Sequence, residues 1–492
     1  MAVLTGLEPR AVFEWFEKIC EIPHGSSDTR RISDFLADFA AQRGLKHRQD
    51  EWNNVIIWKD GTEGYEQSAP VMLQGHMDMV CEKEADCDID FETEGLRLKL
   101  EQGVISAEGT TLGGDDGIAV AYILAILDAD DIPHPPLEAV LTVDEEIGML
   151  GAAAIDCSDL RSRILLNLDS EDEGHLLVSC AGGVTAEAHL PVCRETADGE
   201  VIRLTVTGLQ GGHSGVEIDK GRGNACRLLG RVLYTLSGSC RFRLIRMEGG
   251  LKDNAIPREA AAEILWESGD GETLVRQMEQ VYQNEYSQTD PGVKILWETS
   301  GIKTGQSVMD QTGTKHAIAV LENLPGGIQK MSFDIPGLVQ TSLNLGIMKT
   351  TDEEVSFSFS VRSSAGTEKE ELVQRMNCLM GAFGGNVTCT GDYPAWEYRK
   401  DSPLRDLMIR IYEEQYGEKP VVEALHAGVE CGLFAGKLPG LDCVSFGPDM
   451  DDIHTPKESM NVDSVRRTWE YVLEILKRLK SQVLETRPGL RR

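Results

Sequence analysis

The 492-residue sequence has few basic residues: 48 Lys and Arg stand against 81 Asp and Glu, which gives a net charge of −33. Nucleic acids and anionic membrane surfaces bind patches of Lys and Arg, so this balance argues against both as partners. Solubility is a sufficient explanation for the acidity. An acidic chain also attracts divalent cations.

The sequence also lacks long apolar runs and paired cysteines. Its longest apolar run, 118–127, is too short for a membrane-spanning helix, which needs about 20 residues, and it predicts a buried helix instead. The N-terminus has no basic region followed by an apolar stretch, so no signal peptide is expected. The 12 cysteines form no CxxC pair, and Cys157, Cys180 and Cys443 lie in apolar context. We therefore expect buried, reduced thiols and a cytoplasmic protein.

A chain of this length exceeds one ordinary core, and its sequence pattern changes twice. Strands and helices alternate in 1–183 and 397–492, and polar residues collect where the strands end. This pattern predicts a mostly parallel α/β sheet sandwiched by helices, built by those two segments as one discontinuous domain that ends in a helix over 464–484. Between them, alternating stretches such as 201–206 and 355–361 predict antiparallel strands, so we expect 184–396 to form an inserted α+β domain.

The stretch VMLQGHMDMV, 71–80, places a histidine and an aspartate two positions apart at the end of an apolar strand. Because side chains alternate along a strand, His76 and Asp78 would project from the same face. An aspartate in apolar surroundings needs a partner, and a carboxylate that orients a metal-binding histidine is one reason to find it there. Alone, the pair is weak evidence for a metal site.

Further acidic clusters and one more histidine follow at predicted strand ends and loops. They are Asp115-Asp116, Glu145-Glu146, Asp169 and His454. Taken alone, each has a plain structural explanation as a helix cap, a solvated loop, a turn or a surface residue. Together, two imidazoles and several carboxylates are typical ligands of zinc, manganese or cobalt, whereas calcium favours all-oxygen sites. We interpret the set as a site for two divalent cations bridged by one carboxylate.

Eight short motifs contain these residues or lie between them, and together they span nearly the whole chain. They are GHMD (75–78), TTLGGDDG (110–117), DEEIG (144–148), NLDS (167–170), GGHSG (211–215), NAIP (254–257), HAGVECG (426–432) and HTP (454–456). This set resembles the co-catalytic zinc peptidases of the aminoacylase and carnosinase superfamily. Within that superfamily it is similar to the aminoacyl-histidine dipeptidase branch.

The resemblance implies a metal-binding role for five of the motif residues. His76 and Asp169 would be the terminal ligands of one cation, Glu146 and His454 those of the other, and Asp115 the bridge between them. It also implies two bound metal ions. These would be zinc, with cobalt or manganese as alternatives.

Two further roles and one departure come with the same resemblance. Glu145 resembles the general base, and Asp78 the partner that orients His76. We expect Asp78 to contact only His76 and to stay outside the coordination shell. The family has a cis peptide bond after the bridging aspartate, which implies one between Asp115 and Asp116. The sequence departs from this branch at Asp116, where Asn is common.

The substrate-binding residues implied by the resemblance lie mostly in the inserted domain. His213, Asn254 and Arg362 would bind the C-terminal carboxylate and carbonyl region of a peptide, and Arg362 offers bidentate geometry. His426 and Gly428 would line the pocket of the leaving residue. Without the resemblance, His213 would be interpreted as a turn histidine and Arg362 as a surface cation on a strand. In some relatives the lid histidine reaches a partner subunit, so a homodimer through the inserted domain stays open beside action within one chain.

The resemblance as a whole implies an enzyme, a metal-dependent dipeptidase that cleaves unblocked dipeptides with broad specificity, Xaa-His included. Two alternatives stay open. A related di-metal amidohydrolase would act on N-acyl amino acids or tripeptides. A non-catalytic homologue or scaffold would bind metal and hydrolyse no amide. The presence of Glu145 beside a full ligand set argues against that last alternative, because binding needs no base.

Overall fold

The computed structural model describes residues 3–480, and the chain crosses between two structural units within that range. The first unit comprises the described residues up to Ser179, Tyr398–Ala424, and those from Val429 onward. The second comprises Cys180–Glu397 and Leu425–Gly428. The sequence prediction had assigned 425–428 to the first unit. In the structure these four residues belong to the second unit, and the chain returns to the first unit at Val429.

The helices follow the amphipathic and apolar stretches of the sequence. They are α1 (Arg10–Cys20), α2 (Arg30–Gln42), α3 (Gly114–Asp128), α4 (Leu150–Ala154), α5 (Ala225–Ser237), α6 (Gly271–Glu285), α7 (Gln311–Asn323), α8 (Gly366–Ala382), α9 (Pro403–Tyr416), α10 (Glu430–Lys437) and α11 (Val462–Arg478), with a short 3₁₀ helix at Ile218–Lys220. The buried helix predicted over 118–127 is confirmed as α3. The predicted terminal helix is α11, and positions 481–484 of that prediction lie outside the described residues.

The strands make up most of the second unit and the centre of the first. They are β1 (Lys46–Gln49), β2 (Val55–Lys59), β3 (Val71–His76), β4 (Leu98–Glu101), β5 (Val104–Ala107), β6 (Leu137–Thr142), β7 (Ile164–Asn167), β8 (His175–Cys180), β9 (Gly182–Pro191), β10 (Arg194–Thr207), β11 (Gly212–His213), β12 (Arg241–Gly249), β13 (Ala255–Ile256), β14 (Ala260–Ser268), β15 (Lys294–Met309), β16 (Gly327–Met331), β17 (Val339–Thr350), β18 (Glu354–Ser363), β19 (Asn386–Tyr393), β20 (Val421–Leu425), β21 (Asp442–Ser445), β22 (Met450–Asp451) and β23 (Ser459–Asn461).

The main sheet of the first unit has the strand order β1-β2-β6-β3-β7-β21-β8-β20. Its four central strands, β6, β3, β7 and β21, are parallel, as predicted. The flanking pairs β1–β2, β2–β6 and β21–β8 are antiparallel, so the sheet is mixed rather than mostly parallel. At the β1 edge the reason is local, because a short turn joins β1 to β2 and a tight connection forces antiparallel pairing.

Helix α3 lies against this sheet with every residue from Gly114 to Leu127 buried. A Cβ built on Gly75 of β3 would lie 2.7 Å from the Cβ of Ala119, which shows how closely helix and strand approach. Tyr122 donates a hydrogen bond to the carbonyl of Val465 at 2.8 Å and stacks on Trp469 of α11. Burial on all sides explains why the α3 sequence is apolar all round. It also fixes the N-terminus of α3 beside the end of β3.

The second unit is built on a large antiparallel sheet with the order β15-β10-β14-β12-β17-β18-β9-β19, and β16 pairs with β17. The strands predicted over 201–206 and 355–361 are confirmed within β10 and β18. Alternate residues of β18, such as Val355, Phe357, Phe359 and Val361, are fully buried and belong to the core of this unit. A separate two-stranded ribbon pairs β11 with β13. In the described part of the chain, no helix is long and apolar enough to cross a membrane.

Candidate active site

The ends of three neighbouring parallel strands carry most of the polar residues predicted for the site. His76 is the last residue of β3, Asp169 follows β7, and Glu145 and Glu146 lie in the turn after β6. Because β6, β3 and β7 are adjacent and parallel, their carboxyl ends meet at one edge of the sheet. Sequence order alone separates these residues by up to 93 positions. The sheet brings them together.

Asp115, at the start of α3, lies between two imidazoles. Its Oδ1 atom is 3.1 Å from Nε2 of His76, and its Oδ2 atom is 3.1 Å from Nε2 of His454. On the outer sides, Nε2 of His454 is 3.0 Å from Glu146 Oε2, and Nε2 of His76 is 3.8 Å from Asp169 Oδ1. The structure therefore brings all five predicted metal ligands into one cluster. Each oxygen of Asp115 faces a different histidine, which is the arrangement of a bridging carboxylate.

The chemistry of this cluster fits divalent cations. The carboxylates of Asp115, Glu146 and Asp169 are almost buried, and they form ion pairs with His76 and His454. Burial, joined by the negative charge of Asp115, raises the pKa of Asp169 well above its usual value. Hydrogen bonds to Asp115 and Glu146 raise the pKa of His454 to about 10. Crowded buried carboxylates of this kind are stabilised by a cation, which removes their mutual repulsion.

Two groups of side chains in the cluster have ligand atoms close enough to hold an ion. One group is His76, Asp115 and Glu146, and the other is His76, Asp116 and Asp169. One oxygen of Glu146 and one of Asp116 are buried without a hydrogen-bond partner in the described structure, as expected for groups that can still accept a metal ion. Imidazole nitrogens with carboxylate oxygens suit zinc, cobalt or manganese better than calcium.

Asp116 lies beneath the end of β3. Its Oδ2 atom accepts a hydrogen bond from the main-chain N–H of His76 at 3.1 Å, and the side chain is fully buried. A Cβ on Gly75 would lie 2.5 Å from this oxygen, so the glycine makes room for the carboxylate. The peptide bond between Asp115 and Asp116 is cis, as the resemblance implied.

Asp78 contacts more than the sequence predicted. Its Oδ1 atom lies 3.4 Å from Nδ1 of His76, and the main-chain carbonyl of Asp78 is closer to the same nitrogen, at 2.9 Å. Its carboxylate also accepts hydrogen bonds from the Glu145 N–H at 3.2 Å and from the Ser26 hydroxyl at 2.8 Å. The expectation that Asp78 would contact only His76 was wrong. The tight turn after β6 returns the Glu145 backbone to the end of β3, and spacing along the chain does not reveal that.

Glu145 is a partly buried carboxylate at the rim of the cluster. Burial, reinforced by the nearby charges of Glu430 and Glu146, raises its pKa to about 8. A glutamate that binds a proton near neutral pH has the property required of a general base and acid.

Glu430, in the first turn of α10, is a site residue that the sequence analysis missed. It is fully buried and accepts hydrogen bonds from Gln74 and from the Thr142 hydroxyl. Asn167 donates in turn to Gln74 at 2.6 Å, so one polar network joins the ends of β3, β6 and β7. The available signal was its motif, HAGVECG, whose interpretation stopped at Gly428.

In the second unit, His213 ends β11, and its tautomer is set by the main chain. Its Nδ1 atom accepts hydrogen bonds from the N–H groups of Gly215 and Val216 at 3.2 and 3.3 Å. Burial and the nearby charge of Arg362 lower its pKa, so the imidazole is neutral near pH 7. With Nδ1 as an acceptor, the proton resides on Nε2. His213 therefore presents one N–H donor.

Arg362 and His426 form a second group of donors in the same unit. Nη1 of Arg362 donates to the Tyr393 hydroxyl at 3.1 Å, and Nε2 of His426 lies 2.7 Å from the Ser342 hydroxyl. Nε of Arg362 and Nδ1 of His426 are buried without a partner in the described structure. Burial and the charge of Arg362 lower the pKa of His426 to about 4. A charged guanidinium with an unused donor suits an anion such as a carboxylate.

The remaining predicted substrate residues are Asn254 and Gly428, which also lie in the second unit. Asn254 lies beside the β11–β13 ribbon, where its carbonyl accepts a hydrogen bond from the Ser214 N–H at 2.8 Å, and it is exposed. Gly428 lies in the segment that also carries His426. A Cβ on Gly215 would lie 2.7 Å from the His426 carbonyl and 2.9 Å from the His213 ring. The glycine therefore allows these two histidines to approach each other.

Comparison with known proteins identifies a peptidase family and a full-length relative. The family model described as Peptidase family M20/M25/M40 matches residues 72–478. The cytosol non-specific dipeptidase of Escherichia coli (strain K12) is 34% identical over 487 residues, covering 98% of this chain and 100% of that protein.

Two solved structures have a similar fold over nearly the whole chain. The aminoacylhistidine dipeptidase from Vibrio alginolyticus superposes with a TM-score of 0.90 at 34% identity, over 96% of this chain and 98% of that one. The aminopeptidase PepT from Bacillus cereus superposes with a TM-score of 0.56 at 16% identity, over 96% of this chain and 100% of that one. At such low identity, this second likeness concerns the fold alone.

Proposed function

The chain belongs to the peptidase family M20/M25/M40, and on that premise we propose that it is a metal-dependent dipeptidase that hydrolyses unblocked dipeptides with broad specificity. The observation that carries the proposal is the position of Asp115, with one carboxylate oxygen 3.1 Å from each of two imidazoles. The full-length likeness to two dipeptidases supports the substrate class. We also propose a cytosolic location, as the name of the Escherichia coli protein states for that relative.

We propose that two divalent cations, zinc first with cobalt or manganese as alternatives, bind at the cluster. His76 and Asp169 would hold one cation, Glu146 and His454 the other, and Asp115 both. When bound, such a pair supplies Lewis acidity that activates water and polarises the scissile carbonyl. The donor set supports this assignment, because imidazole and carboxylate ligands are those that these metals prefer.

Glu145 would act as the general base and then the general acid. As a carboxylate it removes a proton from the attacking water, and as a carboxylic acid it delivers that proton to the leaving amine. Asp78 would hold the base and the His76 imidazole at a fixed separation, because its carboxylate contacts both the Glu145 N–H and the ring nitrogen.

We propose that the donors of the second unit recognise the peptide itself. His213, with its proton on Nε2, would donate to the carbonyl region and stabilise the negative charge that develops there. Arg362 would bind the C-terminal carboxylate, held in place by the Tyr393 hydroxyl. Asn254, His426 and Gly428 would complete the substrate contacts. A homodimer through the second unit, in which His213 would act across two chains, is tested by the mass of the protein in solution.

Hydrolysis assays on chelated protein reconstituted with single metals test this function. We expect cleavage of a panel of dipeptides, Xaa-His included, on addition of zinc, cobalt or manganese, and no cleavage without them. The matched substrates are N-acetyl amino acids and tripeptides. Faster turnover of either would identify the related amidohydrolase instead, and metal binding without hydrolysis of any amide would identify a non-catalytic homologue.

A further inference from the structure

One buried carboxylate holds the loop that presents Asp115. Oε2 of Glu458 accepts hydrogen bonds from the N–H groups of Leu112 and Gly113 at 2.7 and 3.1 Å. Its Oε1 atom accepts from those of Gly114 and Asp115 at 2.8 and 3.3 Å. Glu458 is 3% exposed, so its carboxylate is solvated by these four main-chain donors in place of water. Charge-assisted hydrogen bonds of this kind fix a main chain firmly.

The glycines of the loop permit this close approach. A Cβ on Gly114 would lie 3.2 Å from Glu458 Oε1, and one on Gly113 would lie 2.8 Å from the sulfur of Met79. Gly113 also has a φ of +65°, which favours glycine. The TTLGGDDG motif therefore has a second function besides carrying Asp115. It forms the concave surface that receives the Glu458 carboxylate.

Glu458 belongs to the segment that carries His454. The two residues are four positions apart between β22 and β23, and the Glu458 N–H donates to the Thr455 carbonyl at 3.0 Å within a tight turn. The His454 side chain is 45% exposed and its φ is +60°, so few contacts fix it apart from those with Asp115 and Glu146. The turn that ends at Glu458 is what ties this histidine to the loop of Asp115.

His76 is held in a different way. It ends β3, whose neighbours β6 and β7 pair with it on both sides, and its side chain is 1% exposed. Asp78 contacts its ring as well. The position of His76 therefore does not depend on the contact between Glu458 and the loop at Leu112–Asp115.

We propose that Glu458 is a positioning residue that sets the distance between Asp115 and His454, and through it the affinity of the cation site formed by His454 and Glu146. This inference rests on the proposed two-cation function. The substitution Glu458→Gln keeps the size of the side chain but removes its charge and turns one acceptor into a donor that faces main-chain N–H groups. The His454 site should weaken most, because the positions of both His454 and Asp115 depend on this contact, and the His76 site should weaken less, through the shared Asp115 alone.

The matched control is Glu138, in the same unit. Its buried carboxylate accepts hydrogen bonds from the N–H groups of Arg161 and Ser162 at 2.9–3.1 Å. It lies near the start of β6, whereas the cluster follows the end of that strand. Glu138→Gln therefore disturbs a similar buried carboxylate without touching the cation site.

Titration of each metal-free protein with Co²⁺, followed by its visible absorption and by calorimetry, tests the proposal. We expect two equivalents to bind to the unsubstituted protein and to E138Q. In E458Q one equivalent should bind at least about 10-fold more weakly, with a larger change in its absorption band than in that of the other equivalent. Glu458→Asp, which keeps the charge, should recover part of that affinity, and it provides the measurement if E458Q does not fold.

Two results would overturn the inference: wild-type affinity for both equivalents in E458Q and E458D, or the same loss in E138Q. Failure of the unsubstituted protein to bind Co²⁺ and to cleave any dipeptide would instead refute the proposed function. The two failures can therefore be distinguished.

Discussion

The Oδ1 atom of Asp78 accepts a hydrogen bond from the main-chain N–H of Glu145 at 3.2 Å. The same atom lies 3.4 Å from Nδ1 of His76, so one carboxylate contacts both a proposed metal ligand and the proposed base. The Ser26 hydroxyl fixes its other oxygen at 2.8 Å. Asp78 would therefore couple the proposed metal binding to the proposed proton transfer, and it is the first residue to test.

Asp78→Asn should lower both cation affinity and kcat, each by about 10- to 100-fold, because the amide contacts the imidazole and the Glu145 N–H less favourably. Calorimetric metal titration and steady-state kinetics measure the two effects. Asp442→Asn is the control, since Asp442 is also buried and accepts from a serine hydroxyl, Ser402, and a main-chain N–H, that of Leu404. Equal losses in both variants would reduce Asp78 to a structural role.

Glu145→Gln should lower kcat by a factor of about 10² to 10⁴ and leave the metal content close to that of the unsubstituted protein. The amide cannot take a proton from water, while the proposed ligands are untouched. Metal analysis of the purified variant, with kinetics on a good dipeptide substrate, separates these quantities. Full activity in E145Q would remove Glu145 from the role of base.

Arg362→Ala should raise KM for dipeptides by about 10- to 100-fold with a smaller effect on kcat, because it removes a charge-assisted contact to the terminal carboxylate. Tyr393→Phe should shift KM in the same direction but less, since it removes only the hydroxyl that holds the guanidinium. The control is the substrate: a dipeptide amide has no carboxylate, so its KM should change little in either variant. An unchanged KM for free dipeptides in R362A would contradict the assignment.

Removal of metal should lower the thermal unfolding midpoint as well as abolish activity. A cation that binds only the folded protein adds about 2.7 kcal/mol to the free energy of unfolding at a concentration 100 times its Kd. Zinc, cobalt or manganese should restore the midpoint of the chelated protein in calorimetric scans. Calcium is the control and should restore little, because it prefers six to eight oxygen ligands. A midpoint insensitive to chelation would argue against a cation within the cluster.

Gly75→Ala should destabilise the protein by about 1–3 kcal/mol and weaken metal binding, because its Cβ would meet Asp116 Oδ2 at 2.5 Å and the Cβ of Ala119 at 2.7 Å. Gly381→Ala is the control. Gly381 lies in α8 with no atom within 4 Å of the added Cβ, so alanine there should stabilise the helix by about 0.5–1 kcal/mol. Chemical denaturation measures both. A neutral G75A would mean that α3 and β3 can move apart freely.

Most of the cluster was predictable because its candidate ligands lie in short motifs, three of them at the ends of apolar strands. His76 ends β3, Glu146 and Asp169 follow β6 and β7, and parallel strands place such residues at one edge by their pairing alone. The parallel order of the four central strands was predictable for the same reason. The antiparallel flanks were not, because strand direction at a sheet edge depends on which neighbour pairs there.

The residues that were missed act through partners far away in sequence. Glu458 contacts a loop 343 to 346 positions earlier, and Glu430 contacts Gln74 across 356 positions. The motif HAGVECG marks the position of Glu430 but not its role, and Glu458 lies outside the eight motifs. What distinguishes them is burial together with specific donors, and both arise only when the chain folds.

The sequence by itself determined the ligand types, their order and the class of chemistry, because those depend on side-chain identity and on short-range spacing. Only the tertiary structure decided how the candidate ligands are arranged and supported. The two oxygens of Asp115 face different histidines, Asp78 contacts both His76 and Glu145, and Glu458 ties the Asp115 loop to the His454 segment. Hydrogen bonds need atoms within about 3 Å, and only the packing of α3 and the sheet brings these distant segments that close.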